Sequence, residues 1–167
     1  MIEADRKIAL RMIPYGLYVL TAEGKDGAPA AATVNWVTQT SFNPPLIAIG
    51  VKAESGTYDA IRAAGHFALN ILGKGQQAAA FTFFKPAVLE DGKLSGEDIA
   101  WATNGAPILK SAPAALELRV VQVVEVGDHH TVVAEVTGVH INHYPEGRPD
   151  LAVLEMKDLG EKVFYGG

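Results

Sequence analysis

The sequence predicts a mainly β domain, in which antiparallel strands close into a barrel and a few short helices fill the connections. Two valine-rich runs, residues 115–126 and 129–141, meet at a Gly-Asp turn and alternate as half-buried strands do. No strand-helix-strand repeat with a glycine fingerprint is present, which disfavours a parallel sheet. A closed barrel is favoured because closure hides the edge strands. The alternating positions of the two runs are Leu116, Leu118, Val120, Val132, Ala134 and Val136.

The first part of the chain predicts one helix and then three strands. Residues 3–13 mix charged and apolar positions and stop at Pro14, which predicts a short helix. Residues 15–37 hold two β-rich runs separated by glycine, aspartate and proline, which predicts a hairpin. The continuous apolar run 45–51 has the length of a strand, and its composition predicts burial on both faces.

The middle of the chain alternates helix and strand before the two long runs. Residues 55–64 pass from a hydroxyl cluster into a helical pattern that ends at a glycine, and residues 66–72 predict a strand. Residues 74–84 have helical propensity until a proline ends it. Residues 90–105 are rich in glycine and acid, so we expect a mobile loop there. The expected total is six or seven strands and about three short helices.

Composition excludes several classes of protein. The chain has 167 residues, and we expect a single domain over residues 1–167. It has no cysteine, which excludes thiol chemistry and disulfides, so redox work requires a bound cofactor. A net charge of −5, with 14 Lys and Arg among 19 Asp and Glu, argues against nucleic acid as a partner. We find no signal peptide and no apolar run of about 18 residues, so we expect a cytoplasmic protein that does not enter a membrane.

Residues 34–46 concentrate hydrogen-bonding side chains around a tryptophan, beside a predicted strand. A flat heteroaromatic ligand requires hydrogen bonds at its edge and an apolar contact on its face, and this stretch offers both. The alternative is a barrel strand whose polar residues face water. In an extended chain, one side carries Asn35, Val37, Gln39 and Ser41, and the other carries Trp36, Thr38 and Thr40.

A second candidate site lies at the start of the helix predicted over residues 55–64. Ser55 or Thr57 can cap this helix, and the free N–H groups of a helix start bind anions. Lys52 can add a positive charge for a phosphate. The alternative is an ordinary helix cap beside a solvated lysine.

The histidines offer a third candidate. His129 and His130 follow a tight turn, where His129 can lie at the mouth of a cleft or simply at an exposed hairpin tip. His140 and His143 are spaced i, i+3, but no carboxylate pattern accompanies them, so we expect no metal site.

The order and spacing of several stretches resemble one family across most of the chain. These stretches are GLYVLTA, TVNWVTQTSFNPPLIAIGVK, SGTYDAI, HFALNIL, FFKP, NGAPIL and VGDHHTVVAEV. They resemble the flavin reductase-like family of FMN-binding split β-barrel proteins, and are similar to its flavoredoxin-like members and to the flavin reductase-like domain of diflavin flavoproteins. The resemblance implies a Greek-key split β-barrel, FMN (or FAD) in a groove at a homodimer interface, and NAD(P)H as co-substrate.

The resemblance also implies which residues form the site. On the flavin ring and its ribityl chain it places Asn35, Trp36, Val37, Thr38 and Ser41. At the phosphate end it places Lys52, Ser55 and Thr57. Near the flavin, from one subunit or the other, it places Phe84 and Lys85. On the nicotinamide side it places His129, the expected catalytic residue.

Three functions stay open from the sequence. The first is an NAD(P)H-dependent flavin reductase, with a monooxygenase or another redox protein as partner. The second is a flavoredoxin-like electron-transfer flavoprotein that takes electrons from a protein donor. The third is a split barrel that binds haem or pyridoxal phosphate, for which His66, His129, His130 and His140 are the available ligands.

Overall fold

The computed structural model describes residues 2–166. The three α-helices are α1 (Glu3–Arg11), α2 (Gly56–Ala64) and α3 (Gln77–Thr82). They confirm the three predicted helices. Short 3-10 helices span Lys25–Gly27, Pro149–Ala152 and Met156–Leu159. No helix within residues 2–166 has the length and apolar character needed to cross a lipid bilayer.

Eleven strands carry the rest of the regular structure. In chain order they are β1 (Tyr18–Ala22), β2 (Ala30–Val34), β3 (Val37–Phe42), β4 (Pro45–Lys52), β5 (His66–Ile71), β6 (Leu89–Glu90), β7 (Lys93–Leu94), β8 (Glu97–Trp101), β9 (Pro107–Leu109), β10 (Ala114–Val124) and β11 (His129–Ile141). The predicted hairpin is confirmed as the antiparallel pair β1 and β2, and the two valine-rich runs as β10 and β11.

Seven of these strands form one antiparallel sheet in the order β2-β1-β5-β10-β11-β4-β3. Its two edge strands, β2 and β3, follow each other in the chain and are joined only by Asn35 and Trp36. The edges must therefore approach each other at that end, which curls the sheet into a barrel that is split between β2 and β3. The predicted split β-barrel is confirmed.

The barrel interior is an apolar cluster to which most strands and α2 contribute. The alternating positions predicted along β10 and β11 all belong to it or pack against it. Its largest fully buried side chains are Leu20, Ile49, Ile61, Phe67, Leu69 and Leu118. Ile61 comes from α2, so this helix is held against the barrel by its apolar face.

The prediction that residues 45–51 are buried on both faces is wrong. In β4 burial alternates, with Ile47, Ile49 and Val51 buried and the residues between them half-buried. Strand β1, by contrast, is buried on both faces, with Leu20 in the barrel interior and Val19 in a second cluster outside it. That outer cluster includes residues of α3 and β9, which cover β1 and leave β4 uncovered.

The loop expected at residues 90–105 is largely a second sheet. Strands β6 to β9 form a four-stranded sheet in chain order. Leu94 and Leu109 are buried from this sheet in the outer cluster. The glycines and acids of this stretch mark its turns, with Asp91, Gly92 and Gly96 at positive φ. Turn residues here connect very short strands, which composition alone did not distinguish from a loop.

The predicted alternation along residues 35–41 is also wrong. Asn35 and Trp36 lie before β3, and the backbone oxygen of Trp36 accepts a hydrogen bond from Gly50 N at 2.9 Å. A register shift between Gln39 and Ser41 then changes the faces of the strand. Trp36 is consequently held against β4, while Thr38 and Gln39 are exposed on the edge strand.

Two buried polar side chains connect elements that are distant in sequence. Asn70 donates to the backbone oxygen of Val19 and accepts from Leu109 N, so it ties β5, β1 and β9 together. Glu117 accepts hydrogen bonds from Thr103 Oγ1 at 2.6 Å and pairs with His140 Nε2 at 2.6 Å. Although burial acts to raise the pKa of Glu117, these hydrogen bonds hold it below its usual value.

Candidate functional site

A groove of about 960 Å³ runs along the outside of the barrel beside β2 and the first turn of α2. This volume is within the range of small-molecule and cofactor sites. It is bounded by the turn before β2, by β2 itself, by the start of α2 and by residues 83–87 after α3. The predicted site residues that line it are Lys52, Ser55, Thr57, Phe84 and Lys85.

The start of α2 supplies unpaired hydrogen-bond donors to this groove. Ser55 is the N-cap, and its Oγ accepts from Tyr58 N at 3.1 Å and donates to Lys52 O at 2.7 Å. Its hydroxyl hydrogen is therefore used within the chain, which leaves Ser55 no hydroxyl proton for an anion. Within residues 2–166, the N–H groups of Gly56 and Thr57 and the hydroxyl of Thr57 have no protein acceptor or donor. These groups fit an anion, because unpaired helix-start N–H groups favour negative charge.

Charged side chains also line this groove. The lysines are Lys25, Lys52 and Lys85, and the acids are Glu23, Glu54 and Asp59. Lys52 directly precedes the loop that leads to Ser55, so its ammonium lies on the same side of the barrel as the first turn of α2. The groove therefore offers a positive charge and free N–H groups to an anion, while its overall charge is balanced.

The remaining walls of the groove are apolar, and most of their side chains are small. They consist of small side chains from β2 and α2, together with Phe83 and Phe84. Eight alanines line the groove, namely Ala28, Ala30, Ala31, Ala32, Ala60, Ala63, Ala64 and Ala87. A surface of methyl groups accommodates a flat ring without obstruction. The donor set at one end and the apolar wall fit a planar cofactor that carries a phosphate.

A second cluster of predicted site residues forms around Trp36 and His129. Their ring centroids are 4.6 Å apart in an edge-on arrangement. Tyr165 completes the cluster, with its ring 5.4 Å from Trp36 and 5.8 Å from His129. Asn35 is buried beneath it and donates to the backbone oxygen of Tyr165 at 2.9 Å. The indole N–H of Trp36 is buried and has no partner within residues 2–166.

Both ring nitrogens of His129 are hydrogen-bonded within the chain. Nδ1 lies 2.9 Å from Asp128 Oδ1, and Nε2 lies 2.7 Å from the hydroxyl of Tyr165. The bond to His129 holds the pKa of Asp128 below its usual value, so this carboxylate is ionised at neutral pH and can only accept. Nδ1 consequently carries the proton, and in the neutral ring Nε2 accepts from the Tyr165 hydroxyl.

Strand β4 connects the groove to this second cluster. In the register of β4 and β11, Lys52 is paired with His129. On the other side of β4, Val37 pairs with Ile49 and Thr38 pairs with Ala48. Thr38 is exposed on the edge strand and Ser41 is half-exposed. Asn35 to Thr38, Ser41 and His129 do not line the groove itself, so the predicted site residues fall into two groups that meet at Lys52 and His129.

Two residues of this region escaped the sequence analysis. Tyr165 lies in a glycine-flanked aromatic stretch, and Asp128 was noted only as part of a turn. The aromatic residues near Gly160 and Gly166 were the available signal for Tyr165, but nothing in the pattern indicated His129 as its partner. The other histidines proposed as haem ligands contact separate carboxylates or hydroxyls. His66 lies 3.3 Å from Glu23, and His130 lies 2.8 Å from Tyr58.

Comparison with known families gives one match over most of the chain. The model described as "Flavin reductase like domain" matches residues 10–156. This range contains the groove and His129, and it ends before Tyr165.

Individual relatives and solved structures agree with that match. The reductase subunit Stc3 of stachydrine N-demethylase from Rhizobium meliloti is 36% identical over 77% of this chain and 55% of its own length. This chain thus spans about half of that relative. An NADH:FMN oxidoreductase from Rhodococcus qingshengii is 33% identical over 81% of this chain and 69% of its own. The styrene monooxygenase flavin reductase from Pseudomonas putida S12 superposes with a TM-score of 0.71 at 27% identity, over 83% of this chain and 87% of that one.

Proposed function

Because the chain belongs to the flavin reductase-like domain family, we propose that it is an NAD(P)H-dependent flavin reductase that binds FMN in the groove beside α2. The observation that carries this proposal is the groove, where unpaired N–H groups and Lys52 occupy one end and alanines form the wall. A related oxidoreductase is named for FMN and NADH, which supports the choice of cofactor and co-substrate.

The N–H groups of Gly56 and Thr57, with the Thr57 hydroxyl, hold the phosphate, and Lys52 adds a positive charge. Ser55 does not contact the phosphate in this proposal; its hydroxyl accepts from Tyr58 N and fixes the first turn of α2, which presents the N–H groups. The alanine wall and Phe84 exclude water from the ring. When bound, the flavin supplies the acceptor for a hydride.

The protein's part in the reaction is alignment. The overall change moves a hydride from the nicotinamide of NAD(P)H to the flavin, with one proton taken up from water, and it needs no acid or base to break a bond. Side chains therefore contribute by holding the two rings in contact. His129 lies beside Lys52 in the β-sheet register, and in this proposal it contacts the carboxamide of the nicotinamide.

The decisive experiment is an anaerobic absorption measurement. The purified protein, after addition of FMN and removal of the excess, is treated with NADH and in a separate cuvette with NADPH. We expect the absorption of the oxidised flavin to disappear within seconds after addition of at least one of the two nucleotides. Flavin absorption that persists with both nucleotides would contradict the reductase and favour an electron-transfer flavoprotein. A Soret band in the purified protein would instead indicate haem.

We also propose that the active form is a homodimer. Phe42, at the tip of the β3–β4 hairpin, is 92% exposed, and Val139 and Ile141 are exposed on the part of β11 that extends beyond its pairing with β4 and so forms an edge. Large apolar side chains at an edge strand favour pairing with a second copy. Light scattering should give twice the chain mass of 17.7 kDa. A monomer at micromolar concentration, with flavin bound, would refute the dimer and leave the reductase unaffected.

A monooxygenase is the acceptor that we propose for the reduced flavin. This proposal rests on relatives named as the reductase component of such systems. We place the reaction in the cytoplasm, where nicotinamide nucleotides are available. The names of the relatives favour a reductase over an electron-transfer flavoprotein.

A further inference from the structure

Residues 160–166, which we call the strap, reach the Trp36–His129 cluster through Tyr165 and Gly166. Three contacts hold it near its end. Asn35 Nδ2 donates to Tyr165 O at 2.9 Å, and Arg11 Nε donates to Gly166 O at 3.3 Å. The guanidinium of Arg11 also lies 4.2 Å from the centroid of the Phe164 ring. The strap thus joins the end of α1 to the nicotinamide side of the site.

The strap occupies Nε2 of His129, the ring nitrogen of the predicted catalytic residue that Asp128 does not contact. Asp128 accepts the hydrogen bond from His129 Nδ1–H, so Nε2 is the ring nitrogen left for a substrate. The hydroxyl of Tyr165 is bonded to that atom at 2.7 Å. With this bond in place, the side chain of His129 is only 16% exposed. A carboxamide N–H of a nicotinamide would need the same lone pair and the same space.

We propose that Tyr165 competes with the nicotinamide carboxamide for His129 Nε2, so that the strap must leave before the nucleotide binds. The inference rests on the proposed function, since it assigns Tyr165 a role toward the nucleotide of that reaction. The apparent affinity for the nucleotide is then the intrinsic affinity multiplied by the fraction of molecules in which the strap is open.

The strap is held by exposed side chains near its end, so it can move away from His129. Phe164 and Tyr165 are 51% and 42% exposed, so few buried contacts hold them. The strap has no regular secondary structure after Leu159 and is paired with no strand within the described residues. Segments with few buried contacts open at low cost in native proteins. The hydrogen bond between Tyr165 and His129 is one of the contacts that keep the strap closed, together with the packing of Val163 against the outer cluster.

Tyr165→Phe tests the inference because it keeps the ring beside Trp36 and removes only the hydroxyl. The matched control is Tyr144→Phe, since Tyr144 is 86% exposed and its hydroxyl has no partner within residues 2–166. We expect the KM for the preferred nucleotide to fall about 2- to 12-fold in Tyr165→Phe, the factor for one net hydrogen bond. We expect kcat to be unchanged, and both values to be unchanged in Tyr144→Phe.

Hydrogen–deuterium exchange provides a readout that does not depend on turnover. In flavin-free protein, backbone amides of residues 160–166 should exchange faster in Tyr165→Phe than in the wild type. In FMN-loaded wild-type protein, oxidised nucleotide, which cannot react, should increase exchange in the same segment. Decreased exchange on addition of that nucleotide would mean that the strap closes over it, and would overturn the competition.

The kinetic outcomes separate this inference from the proposed function. If the wild type turns over and Tyr165→Phe has a raised or unchanged KM, the strap inference fails and the reductase stands. If only Tyr165→Phe turns over, the strap inference is supported in its strongest form. If both proteins bind FMN and neither oxidises a nucleotide, the reductase proposal fails, and the competition fails with it.

Discussion

The hydroxyl of Thr57 provides a direct test of the proposed phosphate site, because it can be removed without breaking a hydrogen bond within the protein. Thr57 is buried and lines the groove, and its hydroxyl has no hydrogen-bond partner within residues 2–166. Thr57→Val preserves the shape and removes the hydroxyl. A hydrogen bond to a charged phosphate contributes about 1.5–3 kcal/mol, so the Kd for FMN should rise about 13- to 160-fold. The free energy of unfolding of the flavin-free protein should not fall, because no protein hydrogen bond is broken.

This effect is measured by titrating flavin-free protein with FMN and, separately, with riboflavin. The quenching of flavin fluorescence reports binding in both titrations. Riboflavin lacks the phosphate, so its affinity should be the same for the wild type and Thr57→Val. Ser55→Ala is the contrasting variant, because Ser55 caps α2. It should lose about 1 kcal/mol of unfolding free energy. Equal weakening of FMN and riboflavin by Thr57→Val, or an FMN affinity within twofold of the wild type, would refute the placement of the phosphate at α2.

Two further predictions concern the histidines and their carboxylate partners. His129→Ala should slow flavin reduction by NAD(P)H in stopped-flow measurements and leave FMN affinity nearly unchanged, because His129 lies outside the groove; reduction at the wild-type rate would remove His129 from the mechanism. Hydrogen bonds from Thr103 and His140 hold the pKa of Glu117 below its usual value. Its stabilisation should be complete above the unfolded pKa of about 4.3 and be lost as the pH falls through the folded pKa. Urea unfolding between pH 7 and pH 3 should show a shallower loss of stability in Glu117→Gln than in the wild type, and parallel curves would contradict this account.

Much of the fold was predictable because its signals are local. The alternation along β10 and β11 depends only on neighbouring residues, since side chains of a strand point alternately to opposite faces. The start of α2 is similar, because a serine N-cap and a glycine at the helix end act within a few residues. The anion site at Ser55 and Thr57 was predicted for the same reason, although the structure assigns the hydroxyl of Ser55 to the cap.

Other features were decided by packing between distant segments. The apolar run of β4 resembled a strand buried on both faces, but α3 and β9 cover β1 instead. The bulge in β3 depends on how this strand pairs with β4, so the alternation expected for residues 35–41 did not occur. In each case the local composition permits several environments, and the neighbouring elements select one of them.

The sequence alone determined the helices, most strands of the seven-stranded sheet, the family resemblance and the residue types that suit a flavin phosphate. Only the tertiary structure decided that Lys52, Thr57 and Phe84 line one groove, and that His129 is bonded to Tyr165, 36 positions away in the chain. The physical reason is that secondary structure follows from short-range periodicity and capping. The contacts that form a site depend on which surfaces the packed core brings together.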